Sequence, residues 1–140
     1  MSNIGVPPKQ RLSPTLRDKG MSGDLVFVVD PATATPEPTA EAWTQDIIIT
    51  LETSAGQIHE WFNDTITTAI AATDDSTAGT ASMESTTLTF VNGRATAQLK
   101  GDAEAWEDTE TATATVSSQT VLGYTVGEKT CVVTFTATGE

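Results

Sequence analysis

The stretch TLTFVNGRATAQLK (residues 87–100) decides the fold class of this chain. Asn92-Gly93 is a pair that two-residue primed turns prefer, because both turn positions require a positive φ. Apolar residues alternate with polar ones on each side of the pair, as in strands with one buried face; they are Leu88 and Phe90 before it, and Ala95, Ala97 and Leu99 after it. The stretch therefore predicts a β-hairpin.

Similar strand signals recur on both sides of this hairpin. LVFVVD (25–30), ETATATVSS (110–118) and TCVVTFTA (130–137) are rich in β-branched residues or alternate in polarity. PATATPEPTAE (31–41) carries three prolines, which exclude a central strand, so it is predicted to be a connector.

A second hairpin is predicted over residues 46–63. DIIITLET (46–53) is a nearly continuous apolar run of the kind buried on both sides, SAGQ (54–57) signals a turn, and IHEWFN (58–63) follows as a strand. About seven to nine short strands with turns between them are typical of immunoglobulin-like sandwiches. We therefore predict an all-β fold, an immunoglobulin-like antiparallel β-sandwich over residues 23–140. An up-and-down barrel is the alternative.

The first twenty residues, MSNIGVPPKQRLSPTLRDKG, differ in charge from the rest of the chain. They hold four of the seven basic residues and one of the nineteen acids, a formal charge of +3. Residues 21–140 hold the other three basic residues and eighteen acids, a formal charge of −15. Because prolines and glycines interrupt any regular pattern, we predict an extended basic N-terminal arm over residues 1–22 that becomes ordered on a partner. An idle tail is the alternative.

Histidine and cysteine, which bind zinc and act in many catalytic sites, are scarce. His59 is the only histidine and Cys131 the only cysteine, so an ordinary zinc or catalytic cluster cannot form, and we interpret Cys131 as an inert core residue. Several acids lie close together in two predicted loops but lack the spacing of a calcium loop; they are Asp74, Asp75, Glu104, Glu107, Asp108 and Glu110. Motifs of phosphate-binding loops and nucleophile elbows are absent. We expect no enzymatic activity, no cofactor and no metal site.

The three tryptophans receive different interpretations. Trp61 lies on the predicted strand 58–63, and we expect it to pack in the sandwich core. Trp43 and Trp106 flank predicted loops, so each is a candidate either for packing or for a surface contact.

The order of these signals resembles the bacterial immunoglobulin-like modules of the invasin and intimin type. The resemblance rests on SAGQ (54–57), the Trp-bearing segment after it, TLTFVNGRATAQLK (87–100) and ETATATVSS (110–118), and it covers roughly residues 25–137. Such modules usually occur in tandem on long adhesins, whereas this chain has one, without an internal repeat.

A single acidic domain behind a short basic arm resembles the head decoration (cement) proteins of tailed bacteriophages. In that class an N-terminal segment commonly binds the capsid and a small domain projects outward. The resemblance implies a non-enzymatic virion protein on the capsid exterior, bound to the major capsid protein lattice and free to self-associate there. The capsid-binding residues would then be the apolar and basic residues of the arm: Ile4, Val6, Lys9, Arg11, Leu12, Leu16, Arg17 and Lys19.

The alternative is a carbohydrate- or receptor-binding module of a phage tail or bacterial surface, in which Trp43 and Trp106 would stack on sugars. Nucleic-acid binding is disfavoured, because the charge of −15 on residues 21–140 repels phosphate. The sequence has no apolar run long enough for a membrane span or a signal peptide. We therefore expect synthesis in the host cytoplasm and no membrane partner.

Overall fold

The computed structural model describes residues 24–138, and every regular element in that range is a β-strand. Within it, a helix able to cross a membrane is absent. The predicted arm, residues 1–22, lies outside the described residues. The strands are β1 (Leu25–Asp30), β2 (Thr33–Ala34), β3 (Trp43–Thr53), β4 (Thr65–Ile66), β5 (Ile70–Asp74), β6 (Ala81–Met83), β7 (Leu88–Thr89), β8 (Arg94–Gly101), β9 (Thr111–Val116), β10 (Gln119–Val121), β11 (Tyr124–Val126) and β12 (Lys129–Thr134).

The strands form two four-stranded sheets and two small ribbons. The first sheet has the order β1-β3-β8-β6 and is antiparallel throughout. The second has the order β2-β12-β9-β5 and is antiparallel except for the short parallel pair β2–β12. The ribbons are β4–β7 and β10–β11. An immunoglobulin domain packs a sheet of strands A, B, E and D on a sheet of strands C, F and G. Here β1, β3, β8 and β6 take the places of A, B, E and D, and β5, β9 and β12 take those of C, F and G, so the predicted all-β sandwich is confirmed.

The core lies between the two sheets and follows the alternation of the sequence. Ile48 is 44% exposed, so the run 46–53 faces the core on one side only, contrary to the prediction, because the second sheet covers a single face of β3. Each large apolar side chain contributes roughly 1.5–3 kcal/mol on burial, which fixes the inward face of each strand. The inward residues of four strands are Leu25, Phe27, Ile47, Ile49, Leu51, Ala112, Ala114, Val116, Cys131 and Val133.

Residues 58–63 do not form the predicted strand. Ile58 makes an isolated bridge with Glu52. The chain then turns, because the Phe62 amide donates to the His59 carbonyl at 3.1 Å. A turn breaks the two-residue alternation of a strand, so the predicted hairpin over residues 46–63 is wrong beyond that bridge.

The hairpin predicted at residues 87–100 is confirmed at its turn and differs in its arms. Val91 and Arg94 form a bridge around Asn92 and Gly93, whose φ angles are 54° and 81°. Beyond the bridge the two strands separate: β7 pairs with β4, whereas β8 lies between β3 and β6.

The two ends of the sandwich are built from different loops. We call the end where the chain enters β1 the amino end; there the Asp24 carbonyl accepts a hydrogen bond from the Ser54 amide at 2.7 Å. Its connections are residues 54–64, 90–93 and 117–128. The opposite end, which we call the acidic end, contains residues 31–42, 74–80 and 102–110. Strand β3 runs from one end to the other, and its eleven residues span about 33 Å.

Candidate functional site

Trp106, a candidate for a surface contact, belongs to an aromatic cluster at the acidic end. It is 1% exposed, and its ring centroid lies 5.3 Å from those of Trp43 and Phe135. Its indole N–H donates to the Asp102 carbonyl at 3.2 Å. Trp106 is therefore a core residue, and its predicted role as a surface contact is wrong.

The cluster fits because glycines lie beneath both indole rings. A β-carbon at Gly79 would collide with Trp106, and one at Gly101 would collide with Trp43. Trp43 is partly buried and packs edge to face on Phe135, with centroids 5.3 Å apart. Aromatic pairs of this kind contribute roughly 0.5–1.5 kcal/mol beyond their buried area. The tryptophans of this end thus serve packing and present little aromatic surface to a partner.

Trp61 has the environment opposite to the predicted one. It is 45% exposed, although the sequence placed it in the core. Because residues 58–63 turn, His59 and Phe62 become the buried side chains of this loop and Trp61 points outward. The Trp61 ring tilts against His59, with centroids 5.9 Å apart. The loop therefore supports the indole while nearly half of its surface stays exposed.

Three loops at the amino end each expose one apolar side chain, and we call these side chains the apolar tips. Trp61 comes from residues 54–64, Val91 is 59% exposed at the turn before β8, and Leu122 is 42% exposed at the turn between β10 and β11. A cleft lined by residues 62, 64–67 and 119–122 includes Leu122 and part of the loop that carries Trp61. The apolar tips are the candidate contact site of the described chain.

Hydrogen bonds fix the turn of Val91 against the loop of Trp61. The Gly93 amide donates to the Phe62 carbonyl at 2.9 Å, and the Asn92 amide donates to Asn63 Oδ1 at 2.8 Å. Gly93 has a positive φ, and a β-carbon there would lie 2.5 Å from the His59 carbonyl oxygen. Only glycine meets both requirements, so this turn sits directly on the neighbouring loop.

Leu122 has a backbone conformation that leucine rarely adopts. Its φ is 54°, and Gly123 after it has a φ of 83°; the two residues connect the paired strands β10 and β11. In the turn between Val91 and Arg94, the corresponding position is occupied by Asn92, and asparagine tolerates this conformation. A leucine there costs roughly 1–2 kcal/mol. Outliers of this kind concentrate at functional positions, which makes Leu122 a stronger candidate than its exposure alone does.

His59 lies in the loop that carries Trp61. Its buried ring is nearly parallel to that of Phe62, with centroids 6.4 Å apart. Its Nδ1 has no hydrogen-bond partner within residues 24–138. Burial disfavours the charged imidazolium and lowers the pKa of His59. We interpret His59 as a neutral packing residue that supports the loop.

Glu110 joins two loops of the acidic end. Its carboxylate accepts hydrogen bonds from the Glu107 amide at 3.0 Å, the Thr77 amide at 3.0 Å and the Ser76 hydroxyl at 2.8 Å. The Thr77 hydroxyl adds a fourth at 3.2 Å. The two backbone amides, followed by the hydroxyls, stabilise the charged form and lower the pKa of Glu110 to about 2. This acid is a structural link between residues 76–77 and 107–110.

Other carboxylates of the acidic end also bind backbone amides. Each carboxylate accepts a hydrogen bond from a backbone amide that would otherwise lack a partner. Asp75 accepts from the Thr111 amide at 2.7 Å, Asp102 from the Thr80 amide at 2.9 Å, and Asp108 from the Ala137 amide at 2.8 Å. The acids in these loops therefore have an architectural function, which the sequence pattern alone does not reveal.

Within residues 24–138, no three His, Cys, Asp or Glu side chains are placed to hold a metal ion. Cys131 is buried, and burial raises the pKa of its thiol, as expected of an inert core cysteine. The eight proposed capsid-binding residues of the arm, from Ile4 to Lys19, lie outside the described part of the chain. Within the described part of the chain, the apolar tips are the candidate surface for contact with a partner.

Sequence reasoning missed Val91 and Leu122 as contact candidates. Leu122-Gly123 stands between QTV (119–121) and YTV (124–126), and a two-residue connection containing glycine is a turn signal that places Leu122 at a loop tip. No comparable local signal separates Trp61 from Trp106, because their burial depends on which elements pack against them.

Comparisons with known proteins add a distant structural likeness. No protein-family model matches the chain, and no curated protein matches it. Among solved structures, the chitinase ChiW of Paenibacillus sp. str. FPU-7, a cell-surface-expressed multi-modular enzyme, is similar with a TM-score of 0.43 and 12% sequence identity. The likeness covers 89% of this chain and 14% of that one, so this chain corresponds to a small part of the chitinase's length.

Proposed function

We propose that this chain is a non-enzymatic structural protein of a virion, which binds the outer surface of a phage capsid through residues 1–22 and decorates and stabilises it. The observation that carries this proposal is the separation of charge along the chain. Residues 1–20 have a formal charge of +3 and residues 21–140 one of −15. An arm opposite in sign to its domain can be steered to an acidic lattice, while the domains repel one another and stay dispersed.

Charge alone does not explain lasting attachment. At physiological salt the Debye length is about 8 Å, so exposed ion pairs are strongly screened. The arm also contains apolar residues between its basic ones, and these supply contacts that salt does not screen; they are Ile4, Val6, Leu12 and Leu16. The partner is then the major capsid protein lattice, and the protein is located on the virion exterior after synthesis in the host cytoplasm.

A carbohydrate- or receptor-binding module of a phage tail or bacterial surface remains the second candidate. One observation favours it: the exposed indole of Trp61 lies at a loop end, where an aromatic face can stack on a sugar. A glycan array probed with the full chain and with Trp61→Ser tests this candidate. Binding that disappears in the variant supports it, and an array without signal removes it.

The leading proposal is tested by co-sedimentation with undecorated particles assembled from the major capsid protein of the same genome. Deleting residues 1–20 should abolish binding, while circular dichroism shows that the domain stays folded. Replacing Lys9, Arg11, Arg17 and Lys19 by Gln should weaken binding and reduce its dependence on salt. If the shortened chain binds as well as the full chain, the arm is an idle tail and the proposal is wrong.

A further inference from the structure

We propose that the amino end of the sandwich rests on the same protein surface that the arm binds, with the apolar tips Trp61, Val91 and Leu122 in contact and the acidic end pointing away. The inference rests on the proposed function, since it assumes that the arm binds the capsid exterior. The capsid surface then contacts this chain at a second place besides the arm, and the second contact orients the bound domain.

The chain between the arm and the fold has a short reach. Lys19, the last basic residue of the arm, is five residues from Asp24, a separation that can span at most about 18 Å. Asp24 is fixed at the amino end by its hydrogen bond from Ser54. Strand β3 places the acidic end about 33 Å further along the sandwich. A surface that holds Lys19 therefore lies close to the amino end and far from the acidic end.

Acidic residues are unevenly distributed between the two ends of the sandwich. Residues 31–42, 74–80 and 102–110 contain nine acids and no Lys or Arg, whereas residues 54–64, 90–93 and 117–128 contain three acids. A surface that attracts a basic arm has negative potential, and it repels the acidic end more strongly than the amino end. Charge and reach thus select the same orientation.

The apolar tips leave hydrophobic surface exposed to solvent. Trp61, Val91 and Leu122 are 45%, 59% and 42% exposed, so each has apolar surface left to bury against a partner. Leu122 is exposed at a position whose positive φ also disfavours leucine. Three tips form a small contact, but a bound arm holds them near the lattice at a high effective concentration, so that even a weak contact becomes occupied. The partner they fit is a protein surface with apolar side chains.

The test uses the full chain carrying Leu122→Asn or Trp61→Ser and measures affinity for the undecorated particles. Trp61→Ser should weaken binding by roughly tenfold, because tryptophan is enriched among the residues that carry most of an interface's energy. Leu122→Asn should weaken it by roughly threefold, because leucine is seldom such a residue and the substitution removes only its apolar surface from the contact. Ile48→Thr is the matched control, since Ile48 is 44% exposed on the outer face of β3 rather than at the amino end. It should bind as the unaltered chain does.

Hydroxyl-radical footprinting of the unaltered chain provides a second measurement that does not depend on any variant. Trp61 and Leu122 should be protected from oxidation on the particle, while Ile48 stays reactive. Full affinity of both variants together with unprotected tips overturns the inference, and if arm deletion still abolishes binding, the proposed function survives. Protection of the tips in concentrated free protein would identify a second copy of this chain as their occupant and would also overturn it. A full chain that does not bind particles overturns both proposals.

Discussion

The indole rings of Trp43 and Trp106 meet edge to face, with centroids 5.3 Å apart and planes at 84°. Trp43 begins β3, whereas Trp106 lies in the loop between β8 and β9, so the pair joins a strand to a connection far along the chain. The Thr39 and Trp106 backbones also exchange hydrogen bonds at 3.0 and 2.7 Å. A cluster of packed aromatic side chains therefore closes the core at the acidic end, beneath the charged loops.

Removing the buried indole should be costly, and removing the exposed one should not. We expect Trp106→Ala to lower the free energy of unfolding by about 3–5 kcal/mol, because it leaves a large cavity. Trp61→Ala should cost less than about 1 kcal/mol, since much of that side chain is already in water. Urea unfolding of the two variants measures both values. Equal losses would contradict the assignment of one tryptophan to the core and the other to the surface.

Replacing Leu122 by Asn should stabilise the domain. Asparagine tolerates the positive φ of this position, so the substitution should raise the free energy of unfolding by about 1 kcal/mol. Leu122→Ala is the control: it removes the same apolar side chain but keeps a residue type that disfavours the conformation. Thermal unfolding of both variants measures the difference. A melting temperature of Leu122→Asn at or below that of Leu122→Ala would show that the turn is not strained by leucine.

Stability should depend on pH near neutrality through His59. Burial lowers its pKa in the folded protein below the ordinary value of 6.5, so below that pH the unfolded chain binds a proton that the folded one resists. The contribution is complete above about pH 7 and is lost progressively as the pH falls below 6.5. Since His59 is the only histidine, His59→Gln should flatten the dependence between pH 7 and 5 in urea unfolding. An unchanged slope would refute this.

A second pH dependence should appear in acid through Glu110. Its folded pKa of about 2 is below the ordinary value of 4.5, so its contribution is present above pH 4.5 and is lost as the pH falls toward 2. Glu110→Gln should lower the melting temperature at pH 7, because an amide NH₂ cannot accept from the surrounding donors, and should reduce the acid sensitivity. Glu104→Gln, a change of an exposed acid in the same loop, is the control and should alter neither.

The alternation of apolar residues predicted the sandwich where strands are regular. In residues 110–118 and 130–137 the inward positions, such as Ala114 and Val133, follow from the sequence because one face of each strand is covered and the other is not. The same logic failed at residues 58–63, since alternation there has no meaning once the Phe62 amide turns back to the His59 carbonyl. This hydrogen bond competes with strand pairing, and the alternation of polar and apolar residues does not reveal it.

The candidate site was less predictable than the fold. Burial of Trp106 depends on residues distant in sequence, such as Phe135 and Gly79, whereas exposure of Trp61 follows from the turn of its own loop; polarity patterns specify neither. The charge separation between residues 1–20 and 21–140 is visible in composition, but the concentration of acids at one end appears only when the loops are assembled. Local sequence patterns thus predict the strands, whereas the chemistry of the two ends becomes visible only once the strand topology is known.

The position of Asp24 at the amino end also determines how the domain responds to force. The chain enters β1 at one end and leaves β12 at the other, so tension applied between residues 24 and 138 acts along the strands. Such a load shears β1 against β3 over the six paired positions from Leu25–Thr53 to Asp30–Ile48, and their hydrogen bonds share it instead of breaking one after another. A load between residues 24 and 138 therefore acts in the direction in which the sheets resist best.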